Sequence, residues 1–225
     1  MMSSRPAPFA TPYLPSGLAL AAALMLGCFG NETTAFPEGL EPLEEATVEL
    51  PDPVDGQPYP EELRTATGSL PMYGWVHARG YVHAPLADVF AAMRTPEACV
   101  DRNQVDRWTV TPDVEPEYDY SFRIHNEVDD IITVEFDITW RLGRVEGTEA
   151  APTLVAGTWQ KTWGTTFISL LRGSIVGRRV TDDVSEVEIV EHIRAATGGV
   201  DPAEAYVRDL YANIVALSHG DPLPP

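Results

Sequence analysis

The sequence predicts an α+β domain in which an antiparallel sheet of about six to seven strands curves around one long C-terminal helix. In the stretch 131–142, apolar and polar side chains alternate from Ile132 onwards, which is typical of a strand with one buried and one exposed face. Residues 202–218 carry an apolar stripe that is too broad for a helix lying alone on a surface. The helix must therefore pack on the sheet, the only candidate that the sequence offers.

A strand and one or two short helices precede the main part of the sheet. Residues 76–82 alternate with a period of two and predict a strand. Pro85 suits the first turn of a helix over residues 86–93, because proline lacks the N–H that the first turn leaves unpaired. Pro96 ends this helix, and residues 96–100 predict a second short helix.

The middle of the chain predicts further strands, and its end predicts the long helix. Strand-like stretches besides residues 131–142 lie at 108–111, 118–128, 154–163, 166–176 and 184–196. Asp201 and Pro202 then provide an N-cap and a first helical residue, and Gly220 marks the end of the helix.

The composition excludes two classes of protein. A hydrophobic content of 44% is ample for a packed core, so a wholly disordered chain is excluded. The formal net charge is −19, and Lys161 is the single lysine among 15 basic residues. A phosphate-binding surface needs clustered Lys and Arg, so the composition predicts that the chain does not bind nucleic acid.

The first 27 residues predict an export signal. Arg5 is the sole charge before Glu32, and residues 17–26 form an apolar stretch too short to span a bilayer but typical of a signal-peptide core. This stretch runs into Gly27 and Cys28 and resembles the bacterial lipobox, which implies cleavage before Cys28 and lipidation of its thiol. We therefore expect an exported lipoprotein, anchored in the bacterial cell envelope and facing the periplasm. An ordinary cleaved signal and a cytoplasmic protein with an apolar start are the alternatives.

Residues 28–68 predict an acidic, Pro-rich, disordered tether. They contain ten acidic residues, one basic residue (Arg64) and six prolines. Such a segment buries too little apolar surface to offset its chain entropy, and its like charges keep it extended. An acidic partner-binding tail is the alternative. We expect the folded domain to span residues 69–220 and a disordered tail to span residues 221–225.

Two stretches resemble the START-like (SRPBCC) superfamily. Residues 81–97 (YVHAPLADVFAAMRTPE) are similar to the passage of that family from its first strand to its first helix, and residues 186–196 with the final helix are similar to its ending. The resemblance covers residues 72–219 and implies a helix-grip fold, in which a curved sheet holds the C-terminal helix around an apolar cavity. Members range from lipid carriers to aromatase/cyclases and share no single catalytic motif, so no catalytic residue is carried over.

The sequence predicts neither a metal site nor a catalytic nucleophile. His77 and His83 share a strand face but lie roughly 20 Å apart at ~3.3 Å per residue, too far to bind one ion. A cross-strand pair of His77 with His192 remains an alternative to solvated or hydrogen-bonded histidines. Cys99 has no histidine near it in sequence and is interpreted as a small buried residue. Ser174 lacks the setting of a nucleophile elbow. We expect no cofactor and favour a non-enzymatic role.

The predicted binding site is an apolar pocket between the sheet and the last helix. Alternation and helical periodicity place ten side chains there: Tyr120, Phe122, Phe136, Trp140, Trp159, Trp163, Tyr206, Leu210, Tyr211 and Ile214. Arg123, Glu135 and Arg141 are assigned to the outer face, which counts against a charged ligand. The leading hypothesis is a domain that binds a lipid or another apolar small molecule. The alternatives are a scaffold that recruits a partner protein, and a cyclase- or hydrolase-type enzyme that uses pocket tyrosines or a histidine.

Overall fold

The structure is a computed structural model that describes residues 36–129, 133–196 and 198–225. The predicted signal peptide and Cys28 lie outside the described residues, as does Asp130 in the predicted turn before residue 131.

The described residues form one antiparallel sheet and two α-helices. In chain order these are β1 (Leu63–Leu70), β2 (Tyr73–Val82), α1 (Leu86–Met93), β3 (Arg107–Pro112), β4 (Tyr120–Asp129), β5 (Thr133–Gly147), β6 (Pro152–Gly164), β7 (Ile168–Arg179), β8 (Ser185–Ala195) and α2 (Asp201–Ser218). A short 3₁₀ helix, Pro96–Cys99, follows α1. The strand order is β1-β2-β8-β7-β6-β5-β4-β3, with antiparallel neighbours throughout. The predicted α+β helix-grip architecture is confirmed, with eight strands instead of six to seven.

The concave face of the sheet holds α2 and the hydrophobic core. Leu210 is 1% exposed and Ile214 is fully buried in the middle of this helix. The Tyr211 hydroxyl donates a hydrogen bond to the carbonyl of Tyr81 on β2. Gly80 makes this close approach feasible, because a Cβ there would lie 3.1 Å from the Tyr211 ring and 2.4 Å from the Glu62 carbonyl oxygen. The predicted packing of the last helix on the sheet is thus present.

The convex face of the sheet is covered by residues 36–62, called the strap below. The Leu43 N–H donates to Ser174 Oγ on β7 at 3.0 Å, and the Ala46 N–H donates to Glu188 Oε1 on β8 at 3.3 Å. At the other end, the Arg141 guanidinium donates to the Pro37 carbonyl at 2.8 Å. The strap therefore crosses from β5 to β8, and the polar residues beneath it are buried instead of solvated.

The predicted tether and domain boundary are wrong for residues 36–68. Residues 63–70 form β1 at the sheet edge, paired with β2 from Leu63↔Gly80 to Leu70↔Tyr73, so the sheet begins before residue 69. The strap packs on the sheet through hydrogen bonds and ion pairs. The prediction was based on the absence of an apolar pattern, and such a pattern gives no information about polar contacts. Acidic residues that look like solvated charge in the sequence meet histidine and arginine side chains on the convex face.

Candidate functional site

A cavity of about 370 Å³ lies between the concave face and the start of α2. Its walls come from β4, β5, β7 and β8, from the first turns of α2, and from residues 99–105, which begin at the last residue of the 3₁₀ helix. Most of the lining is apolar and includes Val128, Val134, Phe136, Ile138, Leu171 and Ile193. The volume falls within the range of about 300–1,000 Å³ that is usual for small-molecule sites.

A stack of aromatic rings fills the concave face beside the cavity. The Trp140 and Trp159 rings are stacked with centroids 4.5 Å apart, and Phe122 stacks on Trp140 at 5.9 Å. Gly173 leaves room for this stack, since a Cβ there would lie only 1.9 Å from the Trp159 ring. The stack is core, and neither tryptophan is among the residues that line the cavity.

The structure brings two of the ten predicted pocket residues to the cavity. Phe136 and Tyr206 line it. Six others are buried in the core but do not line the cavity: Phe122, Trp140, Trp159, Leu210, Tyr211 and Ile214. Tyr120 lies at a separate cleft beside α1, where its ring contacts Phe90 edge-on and the Arg94 guanidinium lies 4.1 Å from its centroid.

Trp163 lies on the opposite face of the sheet from the one predicted. Ile138 pairs with Lys161 but Asp137 pairs with Trp163, so β6 carries one extra residue, Thr162, at this point. Such a bulge reverses the alternation of the strand beyond it. The Trp163 ring accordingly lies 5.9 Å from the ring of His125 on the convex side.

Glu191 is the fully buried acidic residue of the cavity wall, to which Asp101 contributes a second, partly buried acid. It is 1% exposed, and its Oε2 atom has no hydrogen-bond partner among the described residues. Burial, together with the nearby carboxyl of Asp101, raises the pKa of Glu191 well above its ordinary value. Burial therefore favours the neutral form of this carboxyl, which faces an apolar space.

Glu191 was missed at the sequence level, although β8 contains a signal for it. The side chains that alternate towards the concave face are Val187, Ile189, Glu191, Ile193 and Ala195, so one acid interrupts an otherwise apolar series. An acid on the buried face of a strand is unusual, because desolvation of a carboxylate costs several kcal/mol or more. That interruption is the pattern that predicts a functional carboxyl.

Three other polar side chains line the cavity in buried or partly buried positions. The Tyr206 hydroxyl donates to the Cys99 carbonyl at 3.1 Å, and the Asn126 amide nitrogen donates to the carbonyls of Ile124 and Phe136 at 3.1 and 3.3 Å. Asp101 Oδ1 accepts the backbone N–H groups of residues 103 and 104, each at 3.2 Å. Burial raises the pKa of Asp101 and raises that of Tyr206 well above its ordinary value.

Cys99 also lines the cavity, as a free and buried cysteine. Its Sγ lies 3.7 Å from the carbonyl oxygens of Met93 and Thr95. Burial raises the pKa of the Cys99 thiol, which keeps it protonated and a poor nucleophile.

A second polar cluster lies on the convex face, where the strap meets the sheet. Glu44 Oε1 lies 2.8 Å from His77 Nε2 and 2.9 Å from His192 Nε2. The ligand atoms of these three residues lie within 4.8 Å of one another, a spacing compatible with one metal ion. The sequence predicted no metal site, and the hydrogen bonds of the two Nδ1 atoms show whether the imidazoles could act as ligands.

The hydrogen bonds of the imidazole rings do not fit a metal. A His ligand that binds through Nε2 carries its proton on Nδ1 and donates it to an acceptor. Here His77 Nδ1 accepts the backbone N–H of Thr47 at 3.0 Å, and His192 Nδ1 faces the Arg172 guanidinium at 3.4 Å. Both Nδ1 atoms are acceptors, so both protons are on Nε2 and point to Glu44.

Glu44, His77 and His192 therefore form a clamp that holds the strap on the sheet. Burial raises the pKa of Glu44, but the hydrogen bonds and charges of His192 and His77 outweigh this effect and leave that pKa below its ordinary value. Burial lowers the pKa of His192, and Glu44 opposes this only in part. Both shifts favour the ionised carboxylate and the neutral imidazole.

The fold is similar to those of several solved structures. One is the Zhui aromatase/cyclase from Streptomyces sp. R1128, with 11% identity, a TM-score of 0.43, and coverage of 71% of this chain and 93% of that chain. Another is the lipid transfer and protein localization domain of human StarD13, with 12% identity, a TM-score of 0.45, and coverage of 72% of this chain and 90% of that chain. No protein-family model matches the chain. No curated protein matches it in sequence.

The chain's own topology defines its class: an α+β helix-grip domain with a cavity between its sheet and its last helix, and a strap across the back of its sheet. Within the described residues, every helix is too short or too polar to cross a membrane.

Proposed function

We propose that this domain binds a small, mainly apolar molecule in the cavity between its sheet and α2. The observation that supports this function is the space of about 370 Å³ itself, lined by apolar side chains on one side of a sheet whose remaining concave surface is tightly packed. A scaffold that only recruits a protein partner has no use for such a space. Replacement of the void by side chains would instead stabilise the fold.

The binding test uses a cavity-filling variant and a matched control. Ala195 lines the cavity at the end of β8, and Ala196 is the next residue, exposed to solvent. Ala195→Phe should displace a bound molecule, whereas Ala196→Phe adds the same ring outside the cavity. Native mass spectrometry of the purified proteins should show a co-purifying small molecule in the wild type and the Ala196 variant only. Equal occupancy in both variants contradicts the cavity as the binding site.

We propose further that the chain is exported to the bacterial cell envelope and held there, facing the periplasm, by a lipid on Cys28. Support comes from the apolar stretch at residues 17–26 and from the Gly27-Cys28 pair that follows it. Cys28→Ser should abolish metabolic labelling with a radioactive fatty acid and move the protein to the soluble fraction. Cys99→Ser is the control and should leave both properties unchanged. A Cys28 variant that stays membrane-bound refutes the anchor.

A further inference from the structure

We propose that the ligand of the cavity is an organic amine, an apolar molecule with an ammonium group that binds against Glu191. This inference rests on the proposed binding function and specifies the chemical class of the molecule bound. Three features of the cavity support an amine ligand. They are the unused hydrogen-bond acceptors of its polar side chains, the charges of its lining, and the contrast between Glu191 and the other buried acids of β8.

Apart from Glu191, the buried polar side chains of the cavity have used their donors and retain acceptors. The Asn126 amide gives its N–H groups to two carbonyls, which leaves its side-chain oxygen for a ligand. The Tyr206 hydroxyl hydrogen is given to Cys99, and the Asp101 carboxyl only accepts. Gln104 is exposed at the rim. The indole N–H donors of the tryptophan stack lie outside the lining.

The charges of the lining have one sign. Asp101 and Glu191 are acidic, and the lining contains no Lys, Arg or His. The titratable groups that share the lining with Glu191 are Asp101 from the loop, Cys99 from the 3₁₀ helix and Tyr206 from α2, and all three are acids. Lys161 on β6 is buried on the same face of the sheet outside this lining, and its Nζ donates to the carbonyls of Thr165 and Ile168 at 2.8 and 2.7 Å. An anionic ligand would be repelled, and a cation would neutralise the carboxyl group.

Glu191 differs from the other buried acids of its strand. Glu186 and Glu188 point to the convex face, and each is paired with Arg79 and Arg178 at 2.7–3.8 Å. Glu191 is more deeply buried than either, yet within the described residues it has no cationic partner. Because a buried acid is costly unless it is paired, its natural complement is a cation supplied by the ligand.

An ammonium group fits these acceptors better than a neutral carbonyl group. A carbonyl could accept the single proton of neutral Glu191, but it offers nothing to the Asn126 oxygen. An ammonium group has three donors and can satisfy several acceptors at once. Its binding favours the ionised form of Glu191, whereas burial raises the pKa of this carboxyl in the free protein and favours its neutral form. Association should therefore release protons to the solvent, up to one for each molecule bound.

The test uses three molecules with the same chain: 1-octylamine, 1-octanol and octanoate, titrated calorimetrically into the full-length protein at pH 7. We expect octylamine to bind about tenfold or more tightly than the other two. Titration in buffers of different ionisation enthalpy should show proton release on binding of octylamine and none on binding of octanol. Glu191→Gln keeps the size of the side chain and should remove both the preference and the proton release. Glu135→Gln removes an exposed carboxyl on the convex face and should change neither.

The outcomes separate the two proposals. If octanol binds as tightly as octylamine, or if octylamine binds without proton release, the amine inference is wrong and the binding function stands. If none of the three molecules binds, both are wrong. Proton release is measured on the wild type, so the inference stays falsifiable even if Glu191→Gln does not fold.

Discussion

Removal of the Glu44 carboxylate should loosen the strap and destabilise the whole domain. In Glu44→Ala, His77 and His192 lose the acceptor for their Nε2 protons, and both imidazoles are at most 3% exposed. A hydrogen bond to a charged group contributes roughly 1.5–3 kcal/mol when buried. The Glu44 side chain is 42% exposed, so solvent screening reduces each bond. We therefore expect a loss of about 2 kcal/mol in the free energy of unfolding.

The effect of Glu44→Ala should depend on pH with a defined sign. The folded pKa of Glu44 lies below its ordinary value of 4.5, so its contribution is present above that value and is lost as the pH falls through the folded pKa. Urea denaturation followed by tryptophan fluorescence measures the loss of stability at pH 7 and shows whether that loss becomes smaller below pH 4. Glu45→Ala is the matched control, since Glu45 is exposed beside Glu44. Equal effects of the two variants at pH 7 would refute the clamp.

Three further predictions concern the core, the cavity acid and the strap. Leu210→Ala should cost about 2–5 kcal/mol in urea denaturation, whereas Arg208→Ala, an exposed residue of the same helix, should cost less than about 1 kcal/mol. Similar losses would mean that the sheet does not hold α2. Glu191 has a raised folded pKa, so its contribution to stability is fully present below its unfolded pKa, near 4.5, and is lost as the pH rises through the folded pKa. The free energy of unfolding of Glu191→Gln, relative to that of the wild type, should therefore rise between pH 4 and pH 8, by about 1.4 kcal/mol for each unit of pKa shift. A difference between the two proteins that does not change with pH would contradict this. Deletion of residues 36–50 should lower Tm by several degrees, because it uncovers His77 and His192. An unchanged Tm would instead support the prediction that these residues form a solvated tether.

Local periodicity predicted most of the elements. The helix expected over residues 86–93 is α1 at Leu86–Met93, and the helix expected from Pro202 is α2 at Asp201–Ser218. Both follow from the spacing of apolar residues and from the prolines that begin or end them. Strands β2 to β8 were found for the same reason, since alternation is a property of a few neighbouring residues.

Two local features were not predicted correctly from the alternation of apolar and polar residues. Strand β1 has the sequence LRTATGSL, whose small and polar residues alternate too weakly to indicate an edge strand. Trp163 follows the alternation of β6 in sequence, but the bulge at Thr162 turns it to the other face. A bulge depends on how β5 and β6 pair, and the sequence of one strand does not encode that pairing.

The sequence by itself determined the α+β class, the antiparallel alternation and the burial of the last helix, because each depends on the order of apolar and polar side chains along a short stretch of chain. Tertiary structure alone decided where the chain leaves space and which polar groups meet. The Trp140–Trp159 stack fills one part of the concave face and leaves the cavity beside Glu191. The clamp joins Glu44 to His192 across 148 positions of the chain. Burial and pairing set the protonation of such groups, and both depend on residues that are distant in sequence and adjacent in space.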